Sequence, residues 1–115
     1  MSTFKTQYSF EKRQTESRLV RLKYPERFPL IIEKAKGSKI QDLEKKKYLV
    51  NKDMTIGQVV YLIRKFISIE SHEAIFLFIN GTLPPTAALV SQVFKESCDS
   101  DGFLYILYSA ESTFG

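Results

Sequence analysis

The stretch "TIGQVVYLIRKFI" (55–67) constrains this chain more than any other. Thr55 and Gln58 have the spacing of a capping box, in which each side chain satisfies a backbone N–H near the helix start. At 100° per residue, Ile56, Val60, Ile63 and Ile67 fall on one stripe. Val59, Phe66 and Leu62 widen that stripe on one side to an apolar arc of roughly 160°. Such a helix needs a partner layer to cover it. The one-sided widening admits two readings: a broad core face, or Val59 and Leu62 lining an exposed groove.

The flanking segments supply the partner layer. "FPLIIEKAK" (28–36) and "KKYLVNK" (46–52) read as strands, and the first carries an apolar residue on each face, Leu30 and Ile32 against Ile31 and Glu33. "AIFLFIN" (74–80) is a short strand that ends in Asn80-Gly81, with Pro84-Pro85 beyond it. A short helix is expected over 88–97, a turn at Asp101-Gly102, and a doubly covered strand at "FLYILY" (103–108). Before all of these, 10–24 reads as a mostly polar helix lying on the domain. Ser9 can cap it, and Pro25 forces Tyr24 out of helical conformation. A helical turn is expected near Thr3–Tyr8. The order predicts an α+β domain in which a sheet packs on one helix and the last strand is central.

Charge is distributed unevenly. Residues 1–50 carry 13 Lys/Arg and 6 Asp/Glu, a net of +7, whereas 51–115 carry 4 and 7, a net of −3. A basic surface of this kind suits nucleic acid, anionic lipid or acidic peptide, and charge alone does not choose. No apolar run approaches the ~20 residues of a membrane span, so membrane association is expected to come from a surface or an added lipid. The single Cys98 excludes an internal disulfide, fits a reducing compartment, and has no recognisable base beside it. His72 has no partner at metal-ligand spacing. The chain lacks a Gly-rich phosphate loop, nucleophile elbow or zinc spacing, so no catalytic residue, metal or cofactor is assigned. Nucleic-acid binding lacks an exposed aromatic stacking pattern.

Six blocks, "SFEKRQTES", "KYPERFPLIIEKA", "KKKYLV", "MTIGQVVYLIRK", "AIFLFINGTLPPTAAL" and "DGFLYILYSAESTFG", are spread over nearly the whole chain and are collinear. They resemble the autophagy-related ubiquitin-like modifiers of the GABA-receptor-associated-protein type. The resemblance implies a ubiquitin-like β-grasp with two additional N-terminal helices: a helical extension over 1–25, a core over 26–110 and a flexible tail over 111–115.

The resemblance also implies a chemistry for Gly115. In such proteins a cysteine protease exposes a C-terminal glycine and later deconjugates it. Activating and conjugating enzymes pass the carboxylate through thioesters to phosphatidylethanolamine. Glycine suits this role because, without a side chain, it threads narrow enzyme channels and leaves its carbonyl unhindered. The protein would then be cytoplasmic, and on autophagosome or vacuole membranes once lipidated.

A second implied activity is capture of cargo receptors that carry an aromatic-x-x-aliphatic motif, by β-augmentation on strand 46–52. Carried over residue by residue, the aromatic pocket would comprise Glu16, Val20, Pro29, Ile31, Lys47, Leu49 and Phe103. The aliphatic pocket would comprise Tyr48, Val50, Met54, Val59 and Leu62. Arg27, Lys45 and Lys47 would meet an acidic flank. Ile75, Phe76, Leu77 and Phe78 match a further docking surface, and core packing of that strand explains them equally. The sequence departs from the family pattern at Asn51, usually proline; at Val59, usually a larger aromatic; and at Phe66, usually basic. Two function classes remain: a lipid-conjugated modifier and cargo adaptor, or a non-conjugated adaptor for peptides or a cytoskeletal or trafficking partner. Only the first needs Gly115.

Overall fold

In the computed structural model, residues 2–112 are described. Four helices and four strands follow in the expected order: α1 (Thr3–Gln7), α2 (Phe10–Lys23), β1 (Arg27–Lys34), β2 (Lys47–Asn51), α3 (Ile56–Phe66), β3 (Phe76–Phe78), α4 (Val90–Ser97) and β4 (Leu104–Ser109). The strands form one sheet in the order β2-β1-β4-β3. β1 and β2 are antiparallel, β1 and β4 parallel, and β4 and β3 antiparallel. β4 is therefore internal, as its continuous apolar run predicts, and β2 is left as an open edge.

Local chemistry accounts for the boundaries. Thr55 and Gln58 form the predicted capping box of α3. Ser9 Oγ accepts from Lys12 N–H at the start of α2, and Tyr24 leaves helical conformation before Pro25. Gln92 Oε1 accepts from Leu89 N–H at the start of α4. Asn80 and Gly81 both take positive φ, 51° and 79°, and turn the chain so that Ile79 pairs with Thr82.

The two sheet faces serve different helices. Leu30, Ile32, Val50, Leu104 and Ile106 pack with Ile56, Val59 and Ile63 of α3 in the main core. On the other face Ile31 and Phe103 are covered by Phe4 of α1, whose ring meets that of Phe103 edge-on at 5.3 Å. α2 lies over the same face but docks chiefly through polar contacts. Ser17 Oγ donates to the Asp101 carbonyl at 2.5 Å, and Arg13 pairs with the fully buried Asp101 carboxylate at 2.5 Å. Tyr105 Oη donates to the same carboxylate. Burial and this bond both push the Tyr105 hydroxyl well above its ordinary pKa. Gly102 (φ 92°) makes this approach possible, since a Cβ there would lie 2.3 Å from Ser17 Oγ.

Candidate functional site

The groove begins with the pairing register of β1 and β2. Lys47 opposes Ile31 and Leu49 opposes Pro29, whereas Tyr48 opposes Leu30 and Val50 opposes Phe28. Because side chains alternate across a strand, the first set lies on the α1/α2 face and the second on the α3 face. The residues assigned to the aromatic pocket thus share one side of the open edge, and those assigned to the aliphatic pocket share the other.

On the α2 side, Lys47 Nζ lies 2.8 Å from Glu16 Oε2 and bridges the edge strand to the helix. Val20 and Leu49 are half-buried and stand outside both apolar clusters. Pro29, Ile31 and Phe103 are buried already, the last two beneath Phe4, so they form the floor and not the open walls.

On the α3 side, Tyr48 and Met54 are half-buried against the main core, and Tyr48 Oη donates to the Lys45 carbonyl at 2.9 Å. Burial raises the Tyr48 hydroxyl's pKa. Leu62 is half-buried outside the core. Val59 corrects the groove expectation: its exposure is 0%, and it packs among Leu30, Val50 and Ile63. Val50 is likewise buried, at 4%. The widened stripe of α3 therefore divides: Val59 is core and Leu62 is surface.

The basic residues do not form one cluster. Arg27 opposes Asn51 at one end of β2, while Lys47 opposes Ile31 at the other, about 13 Å away at strand spacing. Arg27 lies over the Tyr24 ring at 5.6 Å. Of the three cations assigned to an acidic flank, Arg27 thus lies at one end of the edge and Lys47 at the other.

The residues matched to the second docking surface are mostly buried, as the core-packing alternative expects. Ile75 and Leu77 belong to the main core, and Phe78 is 4% exposed; Phe76 alone is half-open. A cavity of about 890 Å³, unforeseen from the sequence, lies on the outer sheet face between α1, β1, β4 and the 80–81 turn. Glu33, Lys46, Tyr105 and Phe78 line it. Its walls come from residues distant in sequence, which no local motif brings together. Among the described residues no three His, Cys, Asp or Glu are grouped to hold a metal, and no helix is long and apolar enough to cross a membrane. Gly115 lies outside the described residues.

The profile of the family described as "Autophagy protein Atg8 ubiquitin like" matches residues 12–115. The chain belongs to the Atg8 family. Autophagy-related protein 8 of Schizosaccharomyces pombe is 56% identical to it, over 99% of this chain and 94% of the relative. The Vanderwaltozyma polyspora protein is 55% identical, over 99% and 97%. Among solved structures, Trypanosoma brucei ATG8 superposes with a TM-score of 0.93 at 40% identity, covering 100% of this chain and 99% of that one. Plasmodium falciparum Atg8 in complex with a Plasmodium falciparum Atg3 peptide gives a TM-score of 0.88 at 35% identity, covering 99% and 100%. The expected ubiquitin-like fold with two N-terminal helices is thus the fold of this autophagy family, and the chain is one of its ubiquitin-like proteins.

Proposed function

We propose that this Atg8-family chain is a modifier that joins its C-terminal Gly115 to phosphatidylethanolamine and recruits partners through the β2 groove. The observation that carries the groove is the open edge of β2, flanked by half-buried apolar residues on both sheet faces. A peptide added to that edge alternates its side chains, so anchors three residues apart point to opposite faces. An aromatic-x-x-aliphatic spacing fits this: one anchor reaches Val20, Leu49 and Lys47, and the other Tyr48, Met54 and Leu62.

Conjugation follows the chemistry of an unhindered acyl group. ATP adenylates the Gly115 carboxylate with loss of pyrophosphate, and an enzyme thiolate displaces AMP to form a thioester. After transfer to a second enzyme thiol, the lipid amine attacks the carbonyl, forms the amide and expels that thiol. The diacyl chain then anchors the protein, at ~0.8 kcal/mol per buried CH₂. The Plasmodium relative's complex with an Atg3 peptide supports a conjugating-enzyme partner.

The test mixes the purified chain with activating and conjugating enzymes, ATP and phosphatidylethanolamine liposomes. Wild type gains the mass of one lipid, and Gly115→Ala gains none. If neither gains mass while the aromatic-motif peptide still binds, the non-conjugated adaptor reading replaces this one.

A further inference from the structure

The ring of Phe66, the last residue of α3, is 55% exposed yet stacks on Tyr48, with centroids 5.9 Å apart and planes inclined by 29°. Tyr48 is held in place by its bond to the Lys45 carbonyl and by the core beneath it. Tyr48 and Phe66 thus stand as a stacked pair on the α3 side of the open edge, with Leu62 one turn before Phe66 on the same helix side. Val59, buried completely, adds nothing to this surface. The neighbouring cations on α3 are engaged elsewhere: Arg64 donates to the Glu73 carbonyl, and Lys65 lies over the Tyr61 ring at 4.8 Å. This side of the edge is apolar, and two of its three residues are aromatic.

We propose that Phe66 is a specificity-determining residue of the second pocket, selecting an aromatic side chain at the fourth motif position over a small β-branched one. The inference rests on the groove reading above and departs from it only at the second anchor, where it admits a ring beside the aliphatic side chains that reading assigns. Stacked on Tyr48, Phe66 offers an incoming ring an edge or a face, a gain that valine cannot make.

Two peptides that share an aromatic first anchor and differ only in Phe or Val at the fourth position are titrated calorimetrically into the full chain. Wild type favours the Phe peptide about fivefold, the size of one added aromatic pair. Phe66→Ser brings the ratio near one with little change for the Val peptide, and Phe66→Tyr restores it. Equal wild-type affinities, or a ratio unmoved by Phe66→Ser, overturn the proposal while leaving the groove intact. If neither peptide binds, or if alanine at the first anchor changes nothing, the groove reading itself fails and takes this inference with it.

Discussion

Lys47 on the open edge strand and Glu16 on α2 form a 2.8 Å ion pair that links the sheet edge to the helix. Their side chains are 52% and 39% exposed, so water and salt screen the attraction and its contribution to folding is below about 1 kcal/mol. Lys47→Ala and Glu16→Gln should each change the urea midpoint only slightly, and a double-mutant cycle should return a coupling that shrinks in 1 M salt. The same variants should alter affinity for a peptide with acidic residues beside its aromatic anchor. In the proposed groove the edge pair should therefore act on recognition more than on the fold.

Gly102 and Ser17 carry the opposite balance. Gly102 holds φ 92°, and an added Cβ would lie 2.3 Å from Ser17 Oγ and 3.0 Å from its Cβ. Gly102→Ala should therefore cost about 2–3 kcal/mol, combining left-handed strain with the clash. Ser17→Gly in the same chain removes the clash and leaves the strain, so the penalty measured within the Ser17→Gly background should fall to about 1 kcal/mol. Denaturant unfolding of the four proteins checks this.

Glu33 ties α1 to the sheet. Its carboxylate accepts from Ser2 Oγ and Thr3 Oγ1 at 2.6 Å each and from Phe4 N–H at 3.2 Å. Burial alone would raise its pKa, but these bonds and the Lys46 charge outweigh it and hold the group below the ordinary 4.5. A folded value below the unfolded one means that the unfolded chain binds more protons in this window. The stabilisation is therefore full above pH 4.5 and is lost as pH falls through the folded value. Stability measured from pH 7 to 2.5 should drop more steeply for wild type than for Glu33→Gln. A residual slope in the variant is expected from Asp99. Burial raises that carboxyl too, but Lys5 and the Asp101 N–H outweigh it and lower its pKa.

The parts legible in the sequence were those decided within a few residues. Thr55 with Gln58, Tyr24 before Pro25 and Asn80-Gly81 each act through the backbone within three residues or fewer, and each sits where its local chemistry places it. The alternation along 28–33 assigned Leu30 and Ile31 to opposite faces, and register carried that assignment to Tyr48 and Lys47. Burial was less legible. The carboxylate of Glu33 meets residues about thirty positions away, and nothing near it announces them. Ile31 and Phe103 became a floor because Phe4 folds over them. A helical wheel gives the angle between Val59 and Leu62 but not where the sheet's cover ends.

That boundary is open to measurement. Val59 is fully buried beside Leu30, Val50 and Ile63, so Val59→Ala removes two methyl groups from a packed core. It should lower stability by about 2 kcal/mol, through lost burial and the cavity left behind. Because Val59 shows no surface, peptide affinity at a temperature where the variant remains folded should change less than twofold. Leu62 lies outside the core and half-open, so Leu62→Ala should cost the fold less than about 1 kcal/mol while weakening an aromatic-x-x-aliphatic peptide severalfold. Thermal unfolding and calorimetry on both variants separate the two roles. If Val59→Ala weakens the peptide and Leu62→Ala does not, the second pocket opens onto the core on binding, and its walls are those of a rearranged α3 face.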